Sequence, residues 1–169
     1  PHPGWRWHAQ VPAHVPTGCP LVDTRTLPVD PARASISGHS MGGHGAIILG
    51  VRNPQKFRSV SAFAPIASAS QSAWGQHALT AYLGADRRSW SEYDAATVIR
   101  TKPSKHELLV DQGMADPYLA QLLPGELKEA CRASGQRLTY RERAGYDHGY
   151  YFVSTFIAEH LQFHAAALR

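Results

Sequence analysis

The chain has 169 residues, of which 43% are apolar and 18% charged, and a formal net charge of +4. This composition excludes a disordered chain, and the length fits one globular domain. Lysine and arginine are dispersed, so no nucleic-acid partner is expected. No run reaches the ~20 apolar residues of a membrane helix, and the first residues lack the apolar core of a signal peptide. Two cysteines, Cys19 and Cys131, make no disulfide framework, and the cytoplasm is the expected location.

A G-x-S-x-G pentapeptide at residues 38–42 is the first informative motif along the chain. Residues 34–37 before it predict a short strand, and residues 41–51 after it predict a helix rich in small residues. The flanking glycines permit a tight turn from which a serine hydroxyl projects toward a base. Ser40 is therefore predicted to be a nucleophile, with the backbone N–H of Met41 as an oxyanion donor. The alternative is a turn that contains a serine by chance.

A second strand is predicted at residues 59–63, followed by a loop-rich excursion at residues 68–105. Aromatic residues recur through this excursion and are expected to form its own small core. A cap over an active site would nevertheless draw on such a segment. Trp74 and Gln76 are the residues predicted to line a substrate site.

Two aspartates follow the apolar strand predicted at residues 108–110. Asp116 lies in the Gly/Ala/Asp/Pro loop after this strand, which is where an α/β-hydrolase places the acid of its triad. Asp111 lies nearer the strand end and is the alternative acid. If Asp116 is the acid, Asp111 is expected to anchor the loop.

A histidine follows the last predicted strand, residues 138–142, and precedes a helix predicted at residues 151–167. The chain order Ser40, Asp116, His148 is the order found in α/β-hydrolases, and each of the three comes after a strand. His148 would take the Ser40 proton and deliver it to the leaving group. Asp116 would fix the imidazole tautomer. Asp147, next to His148, is assigned a structural role.

Four other histidines are candidates for functional residues. His39 and His44 flank the nucleophile and are expected to be packing or turn residues rather than a second base. His160 and His164 have the i,i+4 spacing that two metal ligands could share. No third ligand or H-E-x-x-H pattern accompanies them, so a solvated helix face and no metal are predicted.

The motifs extend beyond the triad. They include Val29-Asp30-Pro31, the run from Ile36 to Ala46, Arg52-Asn53-Pro54, and residues 57–66, 74–76, 81–84, 111–113, 145–148 and 150–152. Together they resemble the S-formylglutathione hydrolase family, the esterase D-like branch of the α/β-hydrolases. The resemblance implies a mostly parallel sheet with helices on both faces. It also implies hydrolysis of S-formylglutathione to glutathione and formate in formaldehyde detoxification, side activity on short acyl esters, and no cofactor.

Motif by motif, the resemblance assigns the nucleophile to Ser40, the acid to Asp116, the base to His148 and an oxyanion amide to Met41. It begins at Pro28, so residues 1–27 are predicted to be an irregular segment before a hydrolase domain at residues 28–169. The family places further strands and a second oxyanion amide ahead of the nucleophile. A sheet without those strands exposes an edge, which predicts poor solubility or homo-oligomerisation. A non-catalytic remnant and a general short-chain carboxylesterase are the alternatives.

Overall fold

Four parallel strands form the sheet of the computed structural model, which describes residues 30 and 32–169. The predicted segment at residues 1–27, with Cys19, lies outside these residues. The strands are hydrogen-bonded in the order β1-β2-β3-β4. Their bounds are Ala34–His39 (β1), Phe57–Phe63 (β2), Leu108–Gly113 (β3) and Leu138–Arg143 (β4). All four predicted strands are confirmed.

Helices connect the strands. They are α1 (Met41–Arg52), α2 (Ala73–Leu83), α3 (Ala95–Thr101), α4 (Leu119–Leu122), α5 (Pro124–Ser134) and α6 (Tyr150–Ala167), with a 3-10 helix at Arg87–Tyr93. The helices predicted after Ser40 and after His148 are confirmed. Of the helices described, none combines the length and the hydropathy needed to cross a bilayer.

The excursion at residues 68–105 is more helical than the prediction of a loop-rich segment allowed. It contains α2, the 3-10 helix and α3. Each is preceded by a residue whose side chain accepts a hydrogen bond from a backbone N–H of the first turn: Ser72, Asp86 and Asp94. Such caps satisfy N–H groups that the helix itself leaves unpaired, and they stabilise a short helix by ~1 kcal/mol.

The two faces of β2 show why helices cover both sides of the sheet. Side chains alternate along a strand. Val60 and Ala62 join the core cluster beneath α1, together with residues of α3 and α5. Ser59, Ser61 and Phe63 point to the other face, where they contact α6. A parallel sheet with helices on both faces is the architecture that the motifs predicted, and it matches part of an α/β-hydrolase fold.

His160 and His164 lie on the buried face of α6, so the prediction of a solvated helix face is wrong. Their exposed fractions are 0% and 8%. His164 Nδ1 and Nε2 each lie 2.8 Å from a serine hydroxyl of β2, and the His160 ring stacks on Phe63 at 3.8 Å. Small serines on β2 leave room for an imidazole and supply hydrogen-bond partners. Burial, reinforced by His160, lowers the pKa of His164 to about 4.

Candidate active site

The turn at Ser40 has the geometry of a nucleophile elbow. Ser40 lies between β1 and α1 with φ 57° and ψ −119°, a conformation that costs a non-glycine residue about 1–3 kcal/mol. Its N–H donates to the Phe63 carbonyl at 2.9 Å, which fastens the turn to β2. A Cβ on Gly38 would lie 2.2 Å from the Gly42 carbonyl oxygen, so the first glycine of the motif permits the close approach of strand and helix.

The first amide of α1 belongs to Met41, directly after Ser40. An N–H in the first helical turn has no acceptor within its own helix, and it lies at the positive end of the helix dipole. Among the hydrogen bonds of the described residues, none uses this amide. It can therefore donate a hydrogen bond to a negatively charged oxygen that forms next to the serine.

Asp116 and His148 form a close hydrogen-bonded pair. His148 Nδ1 lies 2.7 Å from Asp116 Oδ2, and the aspartate side chain is fully buried. The same carboxylate accepts the Tyr118 N–H at 2.8 Å and the Gln112 amide at 3.1 Å. Three donors thus fix the carboxylate, and the carboxylate in turn assigns the Nδ1 proton of His148. That tautomer leaves Nε2 unprotonated, as a general base requires.

The serine hydroxyl and the base lie at the same edge of the sheet. Ser40 follows β1, Asp116 follows β3 and His148 follows β4, and the carboxyl ends of parallel strands meet at one edge. Within the described residues, neither Ser40 Oγ nor His148 Nε2 has a hydrogen-bond partner. Catalytic hydrogen bonds are often long without substrate and tighten when it binds.

The structure separates the roles of the two aspartates: Asp111 lies within β3, and Asp116 lies in the loop after it. Asp111 is buried and does not contact His148. It accepts Arg143 Nε at 2.8 Å and lies 3.6 Å from His160 Nε2, which links β3 to β4 and α6. Burial alone would raise its pKa, but His160 and Arg143 together hold it below the ordinary value. Asp147 accepts the Gly149 N–H at 2.8 Å and shapes the turn before α6.

Two aromatic neighbours of the His148 ring were not predicted. The His39 ring lies 4.6 Å from it, between His148 and Tyr150, and Tyr118 packs edge-on at 5.1 Å. Burial, and then the nearby His148, lowers the pKa of His39. Both positions carry a local signal, since His39 precedes the nucleophile and Tyr118 follows the acid by two residues.

An open groove of about 510 Å³ shares Tyr118 with the surroundings of the His148 ring, and its lining includes none of Ser40, Asp116 and His148. Its lining residues are Ala73, Trp74, His77, Tyr118 and Gln121. Trp74, a predicted lining residue, is exposed, and its ring lies 5.4 Å from that of Tyr118. Tyr118 therefore lies between Trp74 and His148. Gln76 is not among the lining residues. Its amide donates to the Ser70 carbonyl and accepts from Arg87, and its substrate-binding role stays a prediction.

The remaining aromatics of the excursion divide between core and surface. Trp90 is buried with Leu79, and Tyr93 packs against the same cluster. Tyr82, like Trp74, is exposed. The expected local core therefore contains two of the four aromatics.

The elbow, the hydrogen-bonded pair of Asp116 and His148, and the strand order are the arrangement typical of serine α/β-hydrolases. The chain belongs to the esterase family whose sequence model is described as "Putative esterase", and that model matches residues 19–163.

Comparison with curated relatives gives a more specific similarity within this family. The chain is 42% identical over 167 residues to S-formylglutathione hydrolase of Bos taurus and 45% identical over 166 residues to that of Arabidopsis thaliana. Each alignment covers 97% of this chain but only 59% and 57% of the relative, so the chain spans about three-fifths of their length. A solved S-formylglutathione hydrolase from Agrobacterium tumefaciens superimposes with a TM-score of 0.88 at 43% identity, over 93% of this chain and 57% of that one.

These alignments correct one expectation about the N-terminal segment. The family model begins at residue 19, and the alignments to relatives span nearly the whole chain. The similarity therefore begins earlier than Pro28. The predicted domain boundary at residue 28 stays a prediction.

Proposed function

We propose that this chain acts as a serine thioesterase that hydrolyses S-formylglutathione to glutathione and formate. The observation that carries the proposal is the 2.7 Å pair of Asp116 and His148 at the sheet edge where Ser40 forms its elbow. The relatives named S-formylglutathione hydrolase support the choice of substrate. No cofactor enters the reaction, because the three side chains supply nucleophile, base and orienting acid.

In the proposed acylation step, Ser40 Oγ attacks the formyl carbonyl carbon and His148 Nε2 takes the hydroxyl proton. The Met41 N–H stabilises the oxyanion of the tetrahedral intermediate. The carbon–sulfur bond then breaks, and the glutathione sulfur leaves with the proton from His148. In the second half, His148 deprotonates water, which attacks the formyl ester on Ser40. Formate leaves, and the proton returns to the serine.

The groove beside His148 is the proposed binding site for substrate. Because His148 passes its proton to the leaving group, the surface next to this ring is where the leaving group must lie. Tyr118 contacts His148 and, with Trp74, forms a wall of the groove. We therefore assign Trp74 to substrate binding.

The lining of this groove also favours a second candidate, a carboxylesterase for short acyl esters. Its aromatic walls, Trp74 and Tyr118, provide apolar area, and the described lining includes no lysine or arginine to pair with the carboxylates of glutathione. Small aryl or alkyl esters would gain from burial against these rings. A non-catalytic remnant is the outcome that would refute both candidates.

Covalent labelling with a fluorophosphonate probe tests whether the site is assembled. The purified chain should be labelled at Ser40, Ser40→Ala should remain unlabelled, and the surface variant Ser154→Ala should match the parent. Both variants should retain the parent circular dichroism spectrum. A folded parent chain that takes no label would refute the proposal and favour the remnant.

Comparative kinetics then separate the two enzyme candidates. A kcat/KM for S-formylglutathione well above that for p-nitrophenyl acetate supports the thioesterase. The reverse order supports the carboxylesterase. Trp74→Ala should raise KM more than it lowers kcat if this ring binds substrate, and an unchanged KM would remove Trp74 from the binding site.

The proposal includes a cytoplasmic location and self-association of the chain. The expected self-association rests on β1, one of the two outer strands of the described sheet, whose edge is unpaired among the described residues. Sedimentation velocity at increasing protein concentration should show a shift to dimers or larger species. A single monomer boundary at all concentrations would refute that part.

A further inference from the structure

Gln112 is a buried polar residue at the end of an apolar row on β3. Side chains at alternate positions of a strand share one face of the sheet, and Leu108 and Val110 on this face belong to the core cluster beneath α1. Gln112 comes next in that row, with an exposed fraction of 1%. An apolar side chain there would continue the core without a polar group to satisfy. Departures of this kind occur at functional or strained sites, so the amide calls for a specific explanation.

The donor half of the Gln112 amide is used at the acid. Nε2 lies 3.1 Å from Asp116 Oδ2 and 3.1 Å from the Gly113 carbonyl oxygen. His148 Nδ1 lies 2.7 Å from the same Oδ2 atom, so the amide and the imidazole share one oxygen of the acid. These partners fix the orientation of the amide, because the opposite orientation would point its oxygen at two acceptors.

The acceptor half of the Gln112 amide has no such partner. Oε1 is buried, and no donor among the described residues reaches it. A second buried glutamine, Gln136, precedes β4 at the opposite edge of the sheet and uses both halves of its amide. It accepts the Ser104 N–H at 2.7 Å. It also donates to the carbonyl oxygens of His106 and Arg137, at 2.7 and 3.0 Å. Gln136 therefore cross-links the backbone, whereas Gln112 does not.

We propose that Gln112 is a positioning residue, which holds the Asp116 carboxylate in the orientation that His148 requires and stabilises the fold little in return. Gln112 acts through Asp116 and does not touch substrate. The catalytic part of this proposal rests on the proposed function.

The backbone around Gln112 shows what the amide adds. A Cβ on the next residue, Gly113, would lie 2.4 Å from the Tyr146 carbonyl oxygen, so the end of β3 directly meets the turn before α6. The Ala115 N–H donates to the same carbonyl at 2.9 Å. Backbone contacts therefore fix the loop that carries Asp116 but not the rotation of its carboxyl group. The Gln112 amide opposes that rotation at Oδ2, where a misplacement near 1 Å can cost ~10²-fold in rate.

Replacing the amide with an apolar side chain of similar length tests the positioning role. Gln112→Met removes the donor to Asp116 and continues the apolar row. It should slow fluorophosphonate labelling of Ser40 by about tenfold, and in p-nitrophenyl acetate hydrolysis it should lower kcat and leave KM unchanged. The matched control, Gln136→Met, should label at the parent rate. A folded Gln112→Met that labels at the parent rate would overturn the proposal.

Urea unfolding of the same variants separates positioning from a structural contact. Gln112→Met should unfold within about 0.3 M of the parent midpoint, because it removes an acceptor without a protein donor along with the lost hydrogen bonds. Gln136→Met should lower the midpoint by about 1 M or more, because three backbone groups lose their partner. An equal loss in Gln112→Met, or its failure to fold, would overturn the proposal.

The two measurements also distinguish failure of this proposal from failure of the proposed function. If the parent chain takes no label, the proposed function fails and the positioning role fails with it. The urea comparison then still decides whether the fold needs the Gln112 amide. If the parent is labelled and only Gln112→Met is slow, both proposals are supported.

Discussion

Replacing Asp116 with asparagine changes one atom and should disable the base. The carboxylate accepts three hydrogen bonds, one of them at Oδ1 from the Tyr118 N–H and two at Oδ2 from Gln112 and His148. If the asparagine oxygen keeps the Tyr118 contact, its NH₂ group faces His148 Nδ1. Nδ1 must then accept, the ring proton moves to Nε2, and the base can no longer take a proton from Ser40.

The size of the effect follows from this change of tautomer. Loss of the correct tautomer costs about 10³–10⁴ in rate, or ~4–5.5 kcal/mol in the activation barrier. The substituted NH₂ also faces the Gln112 donor, so a modest loss of stability, ~1–2 kcal/mol, should accompany it. The assay is the second-order rate of fluorophosphonate labelling at Ser40, with urea unfolding to confirm that the variant is folded.

Asp111→Asn is the matched control, because both aspartates are buried, one within β3 and the other in the loop after it. It weakens the contact with Arg143, so it should lower the free energy of unfolding by about 2–3 kcal/mol. Labelling should stay within about threefold of the parent rate, since Asp111 does not touch His148. If Asp116→Asn labels within tenfold of the parent while Asp111→Asn loses labelling, the assignment of the acid is wrong.

Two further predictions concern stability. The pKa of His164 is lowered to about 4 by burial and by His160, against 6.5 in the unfolded chain. The unfolded state therefore takes up the proton first, and stability falls as the pH drops from about 6.5 to 4, by ~3 kcal/mol in total. Urea unfolding should show this loss in the parent and not in His164→Gln, and equal pH slopes would contradict it. Gly50→Ala places a Cβ 2.3 Å from Val60 Cγ2 and should lower the free energy of unfolding by about 1–3 kcal/mol. A Cβ at Gly125 would have no atom within 4 Å, so Gly125→Ala should leave the melting temperature unchanged or raise it in thermal denaturation. Equal melting temperatures for the two alanine variants would refute the packing argument.

The choice between the two aspartates shows how much of the candidate site the local sequence pattern can predict. Both follow the apolar run at residues 108–110, and the loop composition around Asp116 favours it as the acid. The contacts that separate them come from β4 and α6. Arg143 and His160 contact the Asp111 carboxylate, and the turn before α6 places His148 next to Asp116. The wrong expectation for His160 and His164 has the same origin, because helical spacing puts them on one face without saying what that face meets.

The local amino-acid sequence was enough to predict the elbow, its helix and the four strands. A serine between glycines at a strand–helix junction, and short apolar runs bounded by turns, need only their neighbours to be recognised. Tertiary structure alone decided the partners. Asp116 meets His148 across 32 positions, His44 reaches Tyr93 across 49, and His164 meets Ser59 across 105. Periodicity carries no information about contacts at such separations, because the order and pairing of the strands set them.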